Sequence, residues 1–203
     1  HCTCNWPLGT GDIVTGMELT GTRRLRTDRL VLRRLTVDDA QQMYDNWASD
    51  PEVTQFLRWP AHSSVDVSRA IVGAWVDSYD DPGTFNWGIE LIEDGTLIGQ
   101  TSVVEQDLSV GLVNVGYVVG RRWWGRGYCT EALVAVTGYL FAVAQVNKVE
   151  ASHDPANVAS GRVMEKAGMV TEGLRRASCL SGSTIRDQIY HGILRSEWEG
   201  RQC

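Results

Sequence analysis

The sequence lacks the features that would point to a membrane, an oxidising compartment or a metal site. No apolar run approaches the roughly 20 residues that a membrane-spanning helix needs, and no signal-peptide pattern is recognisable. The 5 cysteines are scattered without a C-x-x-C pair, which argues against structural zinc and favours a reducing compartment. The formal net charge of −6 argues against nucleic acid as the main partner. We therefore expect a cytoplasmic protein that needs no metal and acts on neither membranes nor nucleic acid.

The length of 203 residues is typical of one domain, or of one domain with an extension. Residues 1–26 show no clean hydrophobic period and are rich in glycine and threonine, so we interpret them as an N-terminal extension. The chain starts at His1, whereas Met17 gives a more ordinary start, so part of this extension need not be native. Residues 27–203 are expected to form a single domain.

Hydrophobic periodicity predicts seven strands and four helices in the domain. Helices are predicted at 36–48, at 63–75, from the glycine motif to about 144, and at 156–167. Strands are predicted at 29–35, 85–93, 96–104, 112–119, 148–153, 169–176 and 186–194. The resulting order, β-α-α-β-β-β-α-β-α-β-β, predicts a mixed α/β fold whose central sheet is mostly antiparallel and carries helices on both faces.

A short motif between the fourth predicted strand and the following helix is the most informative feature. Residues 122–128 read Arg-Trp-Trp-Gly-Arg-Gly-Tyr. Glycines let the backbone approach a ligand closely, and the first turn of a helix offers unpaired N–H groups and a positive dipole end. A diphosphate needs both, so the motif predicts a pyrophosphate cradle. The alternative is a tight turn in which the glycines serve geometry alone.

This motif, in this element order, resembles the signature of the GNAT N-acetyltransferase superfamily, Gln/Arg-x-x-Gly-x-Gly/Ala. The flanking residues resemble its RimJ/RimL-type branch, and the resemblance covers about residues 27–198. Gly116-Tyr117 precedes the motif, and residues 128–132 follow it as Tyr-Cys-Thr-Glu-Ala. Further blocks at 157–169, 172–173 and 193–198 agree in the same order. A dinucleotide-binding Rossmann fold does not fit, because its glycine motif follows the first strand.

The resemblance implies transfer of an acetyl group from acetyl-CoA to a primary amine by direct attack on the thioester. It also implies that strand 112–119 splays from strand 148–153, leaving a gap for the pantetheine arm. A main-chain N–H near Val118 is then the expected oxyanion donor. Together with the glycine motif, the resemblance assigns acetyl-CoA contacts to Tyr117, Val118, Val119, Arg122, Trp124, Gly125, Arg126, Gly127, Tyr128, Asn157 and Ser160. Each valine is equally consistent with an ordinary core position.

The acid and the base of the reaction are less evident than the cofactor site. Ser160 is the candidate for protonating the leaving thiolate, because Met164 stands where many relatives outside the branch have a tyrosine and methionine cannot donate a proton. His153 is the candidate base, since a histidine titrates near neutral pH. Glu90 and Glu105 are weaker candidates, and water is an adequate one. Ser160 and His153 are also consistent with purely structural roles.

The acceptor amine is not identified by the sequence. A protein N-terminus and a small-molecule amine both remain possible, and the net negative charge favours a cationic acceptor. We expect the acceptor cleft between the first two helices and the turn at 180–184, with Trp47, Trp59 and Trp75 either lining it or packing in the core. A non-catalytic acyl-CoA-binding sensor is the alternative function, and a homodimer is consistent with the family.

Overall fold

An eight-stranded sheet in the order β1-β2-β3-β4-β5-β6-β8-β7 forms the centre of the molecule. The computed structural model describes residues 17–182 and 184–201. Neighbouring strands are antiparallel except β5 and β6, which run parallel. The strands are Leu25–Arg26 (β1), Leu30–Arg33 (β2), Asn86–Leu91 (β3), Leu97–Asp107 (β4), Leu112–Val119 (β5), Lys148–His153 (β6), Val170–Ser181 (β7) and Thr184–Leu194 (β8). The predicted mixed α/β fold with a mostly antiparallel sheet is confirmed.

Helices cover both faces of this sheet, as predicted. They are Ala40–Met43 (α1), Pro51–Thr54 (α2), Val65–Ser78 (α3), Tyr128–Ala142 (α4), Val158–Lys166 (α5) and Arg195–Glu199 (α6). A 3-10 turn at Val37–Asp39 leads into α1, and a π turn at Tyr44–Ala48 follows it. The predicted helix at 36–48 is therefore one continuous helical segment of three geometries.

Two hydrophobic cores lie on opposite faces of the sheet. The larger core joins α4 and α5 to the sheet, with Leu133, Val136 and Leu140 fully buried. The smaller core joins the helical segment before α2 and helix α3 to β4, around Trp47 and Leu97. Because side chains alternate along a strand, β5 contributes to both cores.

Strands β5 and β6 separate part of the way along their length. Their parallel pairing covers Leu112↔Lys148, Val113↔Val149 and Asn114↔Glu150 and extends no further. Strand β5 nevertheless continues to Val119, paired only with β4 on its other side. The gap expected from the resemblance is therefore present, and the edge of β5 that faces it carries main-chain groups without a strand partner.

Besides the short helix α6, which was not predicted, the structure differs from the predicted elements at three places. Residues 17–26, expected to belong to an extension, pack on the domain, where Met17 is buried in the larger core and β1 pairs with β2. Helix α2 lies between the predicted helices at 36–48 and 63–75 and was not predicted; it begins at Pro51, because proline fits the first helical position and Asp50 caps it. Residues 1–16 lie outside the described part of the chain.

The third difference concerns the hairpin between β7 and β8. The strands extend beyond their predicted ends at 176 and 186 to Ser181 and Thr184, which pair with each other. The hydroxyl of Ser181 donates to the carbonyl oxygen of Leu57 at 2.9 Å, which joins the hairpin to the segment after α2. Ser183 lies outside the described residues.

Candidate active site

Two cavities meet at the gap between β5 and β6. One, of about 580 Å³, lies along the start of α4 and α5, and we call it the cofactor cleft. The other, of about 340 Å³, lies under the segment between α2 and α3, and we call it the acceptor cleft. The residues that line both clefts are Phe56, Leu57, Tyr117, Val118, Asn157 and Ser160. We call this shared zone the junction.

The glycine motif lies at the start of α4, in the wall of the cofactor cleft. Gly125 and Gly127 have φ angles of +73° and +81°, which side chains rarely adopt, and Gly127 is the N-cap of the helix. A Cβ at Gly125 would meet no atom within 4 Å, so the space in front of it is open. The indole N–H of Trp124 donates to the carbonyl oxygen of Val119 at 2.7 Å and fixes the turn to the end of β5.

The basic residues of the motif do not line this cleft. Arg122 lies over the ring of Trp123, and the carbonyl oxygen of Arg126 accepts a hydrogen bond from Arg29. All the other predicted cofactor contacts are among the lining residues, namely Tyr117, Val118, Val119, Trp124, Gly125, Gly127, Tyr128, Asn157 and Ser160. The structure thus places the predicted main-chain cradle in the cleft and the two arginines outside its wall.

Two cations of the cofactor cleft were missed from the sequence. Arg162 and Lys166 both line it, and they come from α5. They are four residues apart, so they share one face of the helix. The four-residue spacing of Arg162 and Lys166 can be read from the sequence. It indicates an anion-binding surface only when the structure shows that α5 borders the gap.

The exposed edge of β5 presents defined main-chain groups to the gap. The N–H of Gly120 donates to the carbonyl oxygen of Ile98, and the pairing continues in register through Val118↔Gln100. Antiparallel pairs alternate, so Val118 directs its N–H and C=O towards β4, whereas Val119 directs its own towards the gap. The carbonyl oxygen of Val119 already binds Trp124. The N–H of Val119 is therefore a main-chain donor near Val118 that faces the gap, whereas the N–H of Val118 itself faces β4.

The first turn of α5 brings Asn157 and Ser160 to the junction. The side-chain oxygen of Asn157 caps the helix by accepting from the N–H of Ser160 at 3.3 Å. The hydroxyl oxygen of Ser160 lies 2.8 Å from the hydroxyl oxygen of Tyr117. Burial raises the pKa of Tyr117 well above its ordinary value, so this phenol is neutral at physiological pH. Sequence reasoning did not foresee this contact, because the two residues are 43 positions apart.

The acceptor cleft has a neutral polar and aromatic wall. Trp59 and Trp75 line it, whereas Trp47 is fully buried in the smaller core. Its polar side chains include the buried amides Asn114 and Gln188. Other polar lining residues include Gln100, Ser102, Ser152, Asn157 and Ser160.

Both charged residues in the wall of the acceptor cleft have partners. Arg58 forms an ion pair with Glu105 at 3.1 Å, and Asp154 forms one with Arg186 at 2.9 Å. The wall therefore has no excess negative charge for a cationic acceptor, whatever the net charge of the chain. Glu90 binds Arg33 and lies outside the lining.

His153 lines the acceptor cleft, but both of its ring nitrogens are engaged. Its Nδ1 lies 2.8 Å from the carbonyl oxygen of Asp154 and must donate, because that oxygen only accepts. Its Nε2 then accepts from the Nε2 of His191 at 3.2 Å, and the Nδ1 of His191 can accept from Thr171. The lone pair that a base needs therefore points at another histidine. Burial is the main cause that lowers the pKa of His191, and the nearby His153 lowers it further.

Neither a candidate metal-binding group nor a membrane-spanning helix is found in the part of the chain that the structure describes. Within residues 17–182 and 184–201, His, Cys, Asp and Glu side chains form no group of three or more that could hold a metal ion. No helix in these ranges combines the length and apolar character needed to cross a membrane.

Comparisons with known proteins agree with this geometry. Residues 29–170 match the family model described as "Acetyltransferase (GNAT) domain". The uncharacterised N-acetyltransferase p20 of Bacillus licheniformis is 28% identical to this chain, over 87% of this chain and 98% of its own. The [ribosomal protein uS5]-alanine N-acetyltransferase of Escherichia coli (strain K12) is 27% identical, over 86% and 92%.

A solved structure has the same fold as this chain. The microcin C7 self-immunity acetyltransferase MccE, in complex with acetyl-CoA and AMP, has a TM-score of 0.74 and 16% identity, over 83% of this chain and 93% of its own. At that identity the likeness shows the fold alone. The family model, in contrast, covers more than half of this sequence. The chain belongs to the GNAT family of acetyltransferases.

Proposed function

We propose that this acetyltransferase moves the acetyl group of acetyl-CoA to a primary amine, which attacks the thioester directly. The observation that supports this most is the meeting of the two clefts at the junction. An acetyl donor in one cleft and an amine in the other would bring their reacting atoms together there. Direct attack needs this arrangement, because no covalent enzyme intermediate intervenes.

Acetyl-CoA fits the cofactor cleft by the chemistry of its wall. The diphosphate would bind the open N–H groups at the start of α4, beside Gly125 and Gly127. Arg162 and Lys166 would add positive charge from α5. The amides of the pantetheine arm would pair with the open edge of β5, as an added strand does. The proposed oxyanion donor is the N–H of Val119.

Proton transfer in this proposal involves Ser160 and water. As the tetrahedral intermediate collapses, the C–S bond breaks and the sulfur needs a proton. The hydroxyl of Ser160 donates it while water returns one to the serine oxygen, and the amine releases one proton to water. Protons and charge therefore balance. The engaged ring of His153 favours water over this histidine as the base, and an amine of pKa near 8 is already partly neutral at pH 7.

The acceptor that we propose is an amine carried by a neutral or aromatic group. The wall of the acceptor cleft offers indoles and amides, and its two charged residues are paired. The N-terminus of a protein and a small-molecule amine both meet this description. The Escherichia coli relative is named for a protein alanine acceptor, which supports testing N-terminal peptides first. A cytoplasmic location belongs to the same proposal, because Cys129 and Cys179 are both free thiols.

The test is release of free thiol from acetyl-CoA with a panel of amines. The panel contains peptides with Ala or Ser at the N-terminus, their N-blocked forms, aromatic amines and polyamines. We expect turnover with a neutral N-terminal peptide or aromatic amine, and none with its blocked form. Turnover with polyamines alone would overturn the acceptor assignment. Binding of acetyl-CoA by calorimetry without thiol release from any amine would indicate an acyl-CoA-binding sensor.

A further inference from the structure

Tyr117 makes a contact that the reaction outlined above does not use. Its hydroxyl oxygen lies 2.8 Å from the hydroxyl oxygen of Ser160 and 3.0 Å from the carbonyl oxygen of the same residue. The tyrosine comes from β5 and the serine from α5, so the contact spans the gap where the strands separate. Both residues belong to the junction.

We propose that Tyr117 is the positioning residue for Ser160, holding the serine hydroxyl in the orientation that serves the leaving sulfur. A serine side chain has three staggered orientations, and a hydrogen bond from a buried neighbour selects among them. The tyrosine has one hydrogen and two acceptors within reach, the carbonyl and hydroxyl oxygens of Ser160. When the hydroxyl hydrogen of Ser160 points at the sulfur, the hydroxyl of Tyr117 can donate its own hydrogen to the serine oxygen. This second hydrogen bond holds the serine hydroxyl in that orientation.

Tyr117 acts through Ser160 in this inference and does not supply the proton. Burial raises the pKa of its phenol, so a phenolate at the junction would be unfavourable and the residue stays a hydrogen-bond donor. Among the described residues, no other side chain forms a hydrogen bond with the Ser160 hydroxyl. Met164, one helical turn further along α5, also borders the acceptor cleft, but its thioether cannot donate.

A double-mutant cycle with Tyr117→Phe and Ser160→Ala tests this inference, which rests on the role proposed for Ser160. Phenylalanine keeps the ring that packs on the larger core and removes only the hydroxyl. We expect Tyr117→Phe to lower kcat by about tenfold, as for loss of one supporting hydrogen bond, with little change in acetyl-CoA affinity by calorimetry. In the Ser160→Ala background the same substitution should change nothing, because the group on which it acts is gone.

Three results would overturn the inference. An unchanged kcat in Tyr117→Phe would show that the hydroxyl is structural. An equal loss in the presence and absence of Ser160 would show that Tyr117 acts on the substrates directly. A wild-type to Tyr117→Phe ratio of kcat that varies between pH 6 and 9 would mark the tyrosine as a proton source. Turnover by the wild type tests acetyl transfer, and Ser160→Ala alone tests the role of Ser160 as the acid. Failure of either proposal can therefore be told apart from failure of the positioning role of Tyr117.

Discussion

The cofactor cleft and the acceptor cleft share the junction residues, including Tyr117 and Val118 of β5, but different chemical groups form the rest of their surfaces. The cofactor cleft offers mainly main-chain groups, at the open edge of β5 and at the start of α4. The acceptor cleft offers side chains, chiefly indoles and amides. A main-chain site requires particular backbone conformations, and these require glycine. Where side chains form the binding surface, substitutions can change which ligand binds without changing the fold.

The largest expected effect comes from placing charge in the main-chain site. Gly127→Asp should weaken acetyl-CoA binding by about 100-fold, because a carboxylate would stand where the helix N-terminus meets a diphosphate. Gly127→Asn is the matched control, since asparagine has the same shape and both residues tolerate positive φ. Calorimetry of the two variants isolates the charge. Equal affinities in the two variants would place the diphosphate elsewhere.

A smaller effect should separate the acceptor cleft from the cofactor cleft. Asn114 is buried in the wall of the acceptor cleft and does not line the cofactor cleft. Asn114→Leu keeps the volume and removes the amide, so the acceptor KM should rise about tenfold, as for one lost hydrogen bond. The affinity for acetyl-CoA should stay as in the wild type. If both ligands lose affinity together, the two clefts are not independent.

A third substitution measures how much side-chain charge in the cofactor cleft contributes to the affinity for acetyl-CoA. Lys166→Gln should weaken acetyl-CoA binding by about fivefold, with a reduced dependence on salt, because an exposed cation contributes less than a helix terminus. Arg122→Gln is the matched control, since Arg122 lies over Trp123 and does not line the cleft. A larger loss in Arg122→Gln would restore that arginine to the cofactor site predicted from the motif.

The smallest effect concerns the histidine pair beside the acceptor cleft. Burial and the nearby His153 lower the pKa of His191, while Glu165 and Glu172 oppose this lowering. The unfolded chain then binds the proton more readily than the folded protein does. The free energy of unfolding should therefore fall as the pH drops below about 6.5, with a slope of at most about 1.4 kcal/mol per pH unit for one proton.

Chemical denaturation between pH 8 and pH 5 measures this effect. His191→Gln should flatten the decline, because an amide can make similar hydrogen bonds without titrating. The variant and the wild type are compared first at pH 8, where His191 is neutral and any packing difference appears alone. An unchanged slope would show that His191 does not control the acid sensitivity.

The sequence predicted the parts of the fold and site that depend on local pattern. Hydrophobic periodicity predicted the sheet, and the glycine motif predicted where helix α4 begins. Periodicity missed β1, because a two-residue strand has no period, and it missed α2, because a four-residue helix is too short to show one.

Other features of the site could not be predicted because they depend on which side chains meet. The pairing of Tyr117 with Ser160 and that of His153 with His191 join distant segments, and no local pattern records which side chains meet. The motif arginines were assigned to acetyl-CoA from their charge and from the family signature, and that assignment stays a prediction. The sequence did not indicate that Arg122 lies over the ring of Trp123, because a guanidinium can stack on an aromatic ring as well as bind an anion.

The most direct test of the proposed active site is a crystal structure of the protein with bound acetyl-CoA. We expect the thioester at the junction, with its carbonyl oxygen within hydrogen-bond distance of the N–H of Val119 and its sulfur beside the hydroxyl of Ser160. The diphosphate should lie at the start of α4. A pantetheine arm outside the gap between β5 and β6, or a thioester remote from Ser160, would contradict the proposal that the two clefts form one active site.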